Sequence, residues 1–427
     1  MALKILATGD IHLGKKSSSI PGNKENAATK FTWDRIISWV IDEEVDVLLL
    51  TGDIVDKDNY YFEAIGPLQS GFRKLENAGI SVYMVAGNHD YKVLPKIAGD
   101  FKNVHLLGKK GIWELKTFCK KGEKIQFVGW SFPSQHFRSD PFLSYNLDEL
   151  IDPSIPCIGL IHGDVDGTDD SYAPIKVNSF RNKGTQVWVL GHIHKPSTPC
   201  EVNPVVRYPG SPHAMSSKES GFHGAISINV ESINDIEIKD IPFSSVRYEQ
   251  ETIDISEAIG EEKLRSLVIE RLVEVGDKLS SELDEVSFLV FDLILTGEHS
   301  RPKAVDNWLR SIQDLKYDLE TETTFSVRKI TTVLRPKIEN IKELAAQPSV
   351  VGVLAKTILA IEDNEKTEFL DKILEKWKLN RDEINSKNTY HYLKKVGKED
   401  NNIDLLAKTS ILKECNNLLG ELLIQKT

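Results

Sequence analysis

Five short polar clusters, each entered from an apolar run, constrain this chain more than any other feature. They are Gly9-Asp10-Ile11-His12, Gly52-Asp53-Ile54-Val55-Asp56, Gly87-Asn88-His89-Asp90, Ile161-His162-Gly163-Asp164 and Gly191-His192-Ile193-His194, in that order. An apolar run that ends on Asp, Asn or His reads as a buried strand with a polar group at its carboxyl end. In open α/β sheets that end is where ligands bind. Five such ends brought to one rim would gather an unusual density of carboxylate and imidazole. Glycine beside each cluster lets the backbone turn sharply and approach a ligand.

The strand runs are Lys4–Thr8, Val45–Leu50, Ser81–Val85, Ile125–Val128, Cys157–Ile161, Val187–Leu190 and Ala225–Val230. Helical patterns at Ala27–Glu44 and Phe62–Asn77 separate the first three, which predicts parallel β-α-β units. From about Val246 the pattern changes. Strand-like Tyr248–Ile255, Val286–Leu295 and Thr324–Leu334 alternate with helix-like Glu261–Leu279 and Pro302–Leu315. Beyond Ile338 nearly everything reads as helix. One apolar stripe runs through Phe369, Leu370, Ile373, Leu374 and Trp377, another through Leu405, Leu412, Leu419 and Leu423. Three domains are therefore expected, at 1–245, 246–337 and 338–427. The polar stretch Lys15–Thr29 reads as a long loop, and loops of that length are often functional.

The donor inventory narrows the chemistry. Asp10, His12, Asp53, Asn88, His162, His192 and His194 are seven candidate ligands, more than one metal needs, and none is a cysteine. Oxygen and imidazole donors suit Mn²⁺, Fe²⁺, Zn²⁺ or Mg²⁺. Two metals sharing one carboxylate would use all seven, and such a pair can clamp a phosphoryl group for in-line attack. The D-x-H and H-x-H spacings fit, because residues i and i+2 of an extended segment face the same side. His105, His136, His299 and His391 read as structural or surface residues. His213 and His223 follow the fifth cluster and are secondary candidates for lining the site.

This ordered set resembles the calcineurin-like metallophosphoesterase superfamily over roughly residues 3–242. The resemblance implies an α/β fold, a four-layer αββα sandwich with a dimetal centre at one rim. By motif position, Asp10, His12, Asp53 and His194 would hold one metal. Asp53 would bridge to a second, held also by Asn88, His162 and His192. His89 would be catalytic, lying over the phosphate as a transition-state stabiliser and proton donor, with Asp90 as its orienting partner. Segment 246–337 looks like the small α+β capping domain of SbcD-type nucleases, with Thr332–Lys337 resembling its closing stretch, followed by a helical C-terminal region. The expected function is therefore metal-dependent DNA phosphodiester hydrolysis, as exonuclease and endonuclease, in an end-processing and repair complex. The expected metal is Mn²⁺. The alternatives are a phosphodiesterase or phosphatase for small or cyclic nucleotides, and a non-catalytic scaffold. One departure stands out: where many such nucleases have His three residues after the bridging Asp, this chain has Asp56.

The resemblance also implies partners: DNA, an SbcC-type ABC ATPase with a coiled coil, and a second copy of the chain. Charge bears on the first of these. The chain has 53 Lys+Arg against 64 Asp+Glu, a net charge of −11, which argues against gripping nucleic acid by bulk charge. Local patches remain. Lys15 and Lys16, with Lys24 and Lys30, flank the first cluster, and Lys109, Lys110, Lys120 and Lys121 anchor a basic stretch from Lys102 to Lys124. These are the candidate phosphate contacts. No apolar run reaches transmembrane length, and Asp10 comes too early for a signal peptide. The four scattered cysteines form no C-x-x-C pair, so the expectation is cytoplasmic.

Overall fold

The computed structural model describes residues 2–20, 26–56, 61–147, 149–167, 172–299, 302–313, 316–318, 323–338, 340–386 and 403–424. Lys24, His391 and the last two residues of the expected helix Pro302–Leu315 lie outside them. The chain forms two compact units. The first comprises Met1–Gln250, Glu274–Asp292 and Leu315–Arg328; the second comprises Glu251–Val273, Leu293–Asp314 and Lys329–Thr427.

Two six-stranded sheets organise the first unit. One is built from β1 (Leu3–Thr8), β2 (Val47–Leu50), β3 (Ser81–Met84), β4 (Val104–Leu106), β13 (Gly224–Ser232) and β14 (Asp235–Pro242), in the order β14-β13-β1-β2-β3-β4. Its members β1 to β4 are parallel, and β13 closes antiparallel on β1. The other contains β5 (Glu114–Lys120), β6 (Glu123–Trp130), β7 (Cys157–His162), β10 (Val187–Gly191), β11 (Ser197–Cys200) and β12 (Val205–Tyr208), in the order β11-β12-β10-β7-β6-β5. Here β6, β7, β10 and β12 are parallel, with antiparallel strands at both edges. A two-stranded ladder, β8 (Asp164–Val165) with β9 (Pro174–Ile175), follows the fourth cluster.

Strand alternation explains the layers. Leu3, Ile5 and Ala7 of β1, with Val47 and Leu49 of β2, pack against Ile125, Phe127, Ile158, Leu160, Val187 and Val189 of the second sheet. Their intervening neighbours Leu6, Leu48 and Leu50 face the other way. They meet Trp33, Ile36 and Val40 of helix α1 (Thr29–Asp42) and Leu68, Phe72 and Leu75 of α2 (Tyr61–Asn77). A short α3 (Leu94–Ala98) completes that layer. On the outer face of the second sheet, Trp130, Cys157, Trp188 and Leu190 are covered by loops and two 3-10 turns, Pro141–Ser144 and Val177–Phe180. The result is a mixed α/β sandwich as expected, with loops and 3-10 turns in place of the outer helical layer among the described residues. The parallel strands β1, β2 and β3 deliver the first three clusters from their carboxyl ends, and β7 and β10 deliver the other two.

The segment after Val246 follows its expected alternation, with one added strand. β15 (Val246–Asp254), α4 (Glu261–Lys278), β16 (Phe288–His299), α5 (Pro302–Gln313), β17 (Lys316–Asp318) and β18 (Thr324–Pro336) give a four-stranded sheet of order β15-β16-β18-β17. The second unit ends in helices α6 (Ile341–Ala345), α7 (Val350–Glu362), α8 (Glu368–Ser386) and α9 (Ile403–Ile424). Ser349 caps α7 by accepting from the Gly352 amide. The apolar stripes meet one another: Leu370, Ile373, Leu374, Trp377, Leu412, Leu419 and Leu423 pack with Ala355, Ile358 and Ile361. Only Phe369 and Leu405 of the two stripes are exposed.

Candidate metal centre

The five clusters converge as the strand directions dictate. Backbone bonds lock the first two loops together: Asp10 N–H donates to Gly52 O (2.9 Å), His12 N–H to Asp53 O (3.0 Å) and Leu13 N–H to Ile54 O (2.8 Å). Four non-glycine residues here hold left-handed backbone: Asp10 (φ 49°), His12 (φ 48°), Asp53 (φ 49°) and His192 (φ 99°). Such conformations cost free energy and persist where surrounding structure over-determines them. Glycine is required beside them. A Cβ on Gly87 would stand 2.2 Å from Asp53 Oδ1, and one on Gly191 would stand 2.2 Å from Thr51 O.

Asp10, His12, Asp53, Asn88 and His162 are all buried. Ligand-type atoms of Asp10, His12 and His194 lie within 4.8 Å of one another, as do those of Asp10, Asp53 and His162, and of His12, Asp56 and His89. Asn88 joins through Oδ1, 3.0 Å from His162 Nε2. His192 donates its backbone N–H to both oxygens of Asp10 (3.0 and 2.9 Å). Its ring stands edge-on to His162 and tilted against Tyr172, outside the three groups.

The tautomers are set from behind. His12 Nδ1 faces Asp56 Oδ2 (3.1 Å), His194 Nδ1 faces Glu219 Oε1 (2.7 Å) and His162 Nδ1 faces the Thr51 carbonyl (3.0 Å). Each partner is an acceptor, so each Nδ1 carries a proton, and in the neutral ring each Nε2 presents a lone pair inward. Those lone pairs meet other lone pairs. His12 Nε2 is 3.2 Å from His194 Nε2, and His162 Nε2 is 3.4 Å from Asp53 Oδ2. Acceptors facing acceptors in a buried pocket call for a cation between them. Protons alone answer this only in part. Burial works against charge on His162, but Asp53, its hydrogen bond, Asp10 and the Thr51 carbonyl outweigh it and push the ring up to about 9. Burial likewise raises Asp53, yet His162, His12 and His89 together hold it below the usual carboxylate range. Burial pushes Asp10 up and His12 down. The donor set therefore fits divalent metal: all oxygen and imidazole, with carboxylates supporting the imidazoles.

His89 sits at the more open side, its side chain 17 % exposed. Its ring stands edge-on to His12, with Nε2 3.9 Å from Asp53 and Nδ1 3.7 Å from Asp56. These distances are too long for hydrogen bonds, and Nδ1 has no hydrogen-bond partner among the described residues. The His89 backbone N–H donates to Asp53 Oδ1 (2.8 Å). Asp90, expected to orient the His89 ring, instead accepts from the amides of Ile54 (2.6 Å), Val55 (3.3 Å) and Gly87 (2.8 Å). It fastens the second cluster to the third. Burial and the nearby Asp53 charge push it up to about 7, against the pull of those amides.

Two supporting residues carried no motif signal. Glu219 lies far along the chain in a Ser/Gly-rich stretch and is anchored by the Met215 amide (2.6 Å). The Thr51 carbonyl is backbone and leaves no mark in a sequence. Asp56, noted as a departure, faces both His12 and Lys15, whose Nζ lies 2.5 Å from Oδ2. His213 and His223 stand apart from the ligand groups. His213 ties Ser17 (2.7 Å) to Thr32 (2.8 Å), and His223 donates to the Ser211 carbonyl.

The lysines divide. Lys15 and Lys16 follow the first cluster, and Lys109 and Lys110 follow β4 at the carboxyl end of its parallel neighbour β3. Lys120 and Lys121 lie at the β5–β6 hairpin, where β6 begins. Since β6 is parallel to β7, whose last residue is His162, the hairpin is at the opposite end of the sheet. Lys120 Nζ bonds Asp46 (2.6 Å), which precedes β2 just as Asp53 follows it.

Comparison with known proteins agrees with this site. Residues 3–196 match the family model for calcineurin-like phosphoesterases. The chain is 31 % identical over 232 residues to the uncharacterized metallophosphoesterase YhaO of Bacillus subtilis, covering 52 % of this chain and 54 % of that protein. It is 24 % identical over 266 residues to a subunit of the SbcCD nuclease of B. subtilis, covering 53 % of this chain and 66 % of that one. It is 21 % identical over 289 residues to the DNA double-strand break repair protein Mre11 of Methanopyrus kandleri, covering 62 % of each chain. The chain thus spans between about half and two thirds of the length of these relatives. Family match, sheet order and converging ligand groups coincide: residues 3–196 match the calcineurin-like phosphoesterase family, and they carry candidate metal-ligand groups where that family match lies.

Proposed function

We propose that the chain hydrolyses DNA phosphodiesters, as exonuclease and endonuclease, with a pair of Mn²⁺ ions as its working metals. The observation that carries the hydrolase part is the set of inward-facing Nε2 atoms of His12, His162 and His194 beside Asp10, Asp53 and Asn88. The choice of DNA is supported by the named nuclease and repair relatives and by the appended segment. In this reading Asp10, His12, Asp53 and His194 hold one metal, and Asp53, Asn88, His162 and His192 the other. Bound there, the pair supplies Lewis-acid polarisation of the phosphoryl group and makes water acidic enough to be a nucleophile near neutral pH.

The chain's own residues supply the rest. Asp56, Glu219 and the Thr51 carbonyl keep three imidazoles in the ligating tautomer. Asp90 holds the second and third loops in register. Among the described residues the His89 Nδ1 has no hydrogen-bond partner, and the ring is partly open, so it can stabilise charge on the phosphoryl oxygens and give a proton to the leaving oxygen. Residues 246–337 serve as a capping domain for DNA, and 338–427 as a helical region for an SbcC-type ATPase partner. A homodimer is part of the same proposal. Among the described residues no helix is long and apolar enough to cross a membrane.

The test is Mn²⁺-dependent digestion of end-labelled single- and double-stranded DNA beside bis(p-nitrophenyl) phosphate, with and without a co-purified ATPase. DNA cleavage is expected. Cleavage of the small ester with none of DNA in either condition would replace this reading with a small-nucleotide phosphodiesterase.

A further inference from the structure

Beside the metal centre, within the first unit, lies a cavity of about 730 Å³. Its floor includes Lys15 and Lys16 from the loop after the first cluster. Its walls include Lys30, Phe31 and Asp34 of α1 and Glu63 of α2. The cavity adjoins the centre through one ion pair. Lys15 Nζ is 2.5 Å from Asp56 Oδ2, and that same oxygen faces His12 Nδ1 at 3.1 Å. Latches hold the floor in place: Ser17 N–H donates to Ala27 O, Thr29 N–H to Lys15 O, and the Thr29 hydroxyl to His12 O. The wall carrying Lys30 and Phe31 is thereby fixed to the loop carrying a candidate ligand.

The lining has the composition of a nucleotide seat. Lys15 is engaged by Asp56, but Lys16 and Lys30 form no ion pair among the described residues, and neither do Asp34 and Glu63. Phe31 is 36 % exposed, with the Arg35 guanidinium 5.8 Å from its ring centroid. Cations that track a phosphate backbone, with an aromatic ring on which a base can stack, are the recurring elements of single-strand recognition. The size fits as well. The volume falls within the roughly 300–1,000 Å³ of small-molecule sites, room for a nucleotide or two.

We infer that this cavity seats an unpaired nucleotide next to the phosphodiester presented to the metal centre, with its base against Phe31 and its phosphate at Lys16 and Lys30. The inference rests on the DNA-hydrolase reading and deepens it. The preferred substrate is a single-stranded or frayed end, and a paired end must open before its terminal nucleotide enters.

Binding tests it without turnover. In EDTA, fluorescence anisotropy of the full chain with a labelled oligothymidine, against a duplex of equal length, should show tighter binding of the single strand. Phe31→Ala and the double variant Lys16→Ala/Lys30→Ala should each weaken single-strand binding by at least about five-fold, the lower end of one stacked base. The lysine variant should also flatten the salt dependence. Phe31→Leu serves as a second variant should Phe31→Ala fold poorly by circular dichroism, with the same expected loss. Lys120→Ala/Lys121→Ala, at the far end of the sheet, should bind like wild type. Unchanged affinity in the cavity variants, equal loss in the far-end variant, or preference for the duplex would each overturn the inference. The two readings fail separately: a wild-type protein that cleaves no DNA sinks the hydrolase proposal, whereas unchanged affinity in the cavity variants sinks the cavity alone.

Discussion

Strand β2 has an aspartate at each end, and the two could hardly differ more. Asp46, at its entry, pairs with the partly exposed Lys120 at 2.6 Å and accepts the Lys4 amide. Asp53, at its exit, is buried with His162 at 3.4 Å and His89 at 3.9 Å, and its backbone is left-handed. The residue type is the same, the strand is the same, and only the direction of the chain separates them. Parallel strands put all their carboxyl ends on one side, so that side accumulates polar clusters. The other side receives ordinary surface pairs.

The largest contrast expected is therefore between Asp53→Ala and Asp46→Ala. The first should lose bound metal, measured by elemental analysis after gel filtration, together with nearly all hydrolysis of bis(p-nitrophenyl) phosphate. The second should keep both. His89→Asn sharpens this contrast, since it should retain metal while losing most turnover; equal metal loss in His89→Asn and Asp53→Ala would break the division of roles.

A buried histidine outside the candidate ligand groups should respond to acid. Burial holds His213 down to about 4, against an ordinary value of 6.5. Between those values the unfolded chain takes up a proton that the folded one refuses. Its contribution is thus complete above about pH 6.5 and lost as pH falls towards 4. The ceiling is about 3 kcal/mol. Denaturant unfolding of wild type and His213→Gln at pH 7 and pH 5 checks this: the gap between them should narrow at pH 5, and a constant gap would break the assignment.

Supporting residues should matter less than ligands. Glu219→Gln should weaken metal affinity by roughly 10–100-fold, read by competition with a chelating dye. No change would show that His194 holds its tautomer without Glu219. The smallest effect belongs to the entry side: Lys120→Met should cost under about 1 kcal/mol, as for partly exposed ion pairs. A larger loss in thermal unfolding would make the entry side more than an ordinary surface.

Local features of the site were legible in the sequence. Apolar runs ending in Gly-Asp, Gly-Asn-His-Asp or Gly-His-Ile-His are contiguous signals, and all five clusters meet where the parallel strands end. The stripes of the C-terminal helices were legible too, but their destination was not. Most of those side chains pack on one another in the bundle, leaving Phe369 and Leu405 as its outward members. Periodicity shows that a face is apolar; only packing shows what covers it.

Residue types and their order by themselves determined the chemistry on offer: oxygen and imidazole donors, too many for one metal, placed at strand ends. The tertiary structure decided which groups support them. Glu219 reaches His194 from 25 residues away, Thr51 serves through its carbonyl, and Asp90 grips backbone amides where a bond to the His89 ring was expected. It also separated the basic stretch. Lys110 and Lys120 are close in sequence, yet the seven residues of β5 at about 3.3 Å each carry the chain roughly 20 Å down the sheet. The physical reason is common to all of these. Donor type and strand period are properties of neighbouring residues, whereas a hydrogen-bond partner or a shared surface depends on which distant segments the fold brings within about 3 Å of each other.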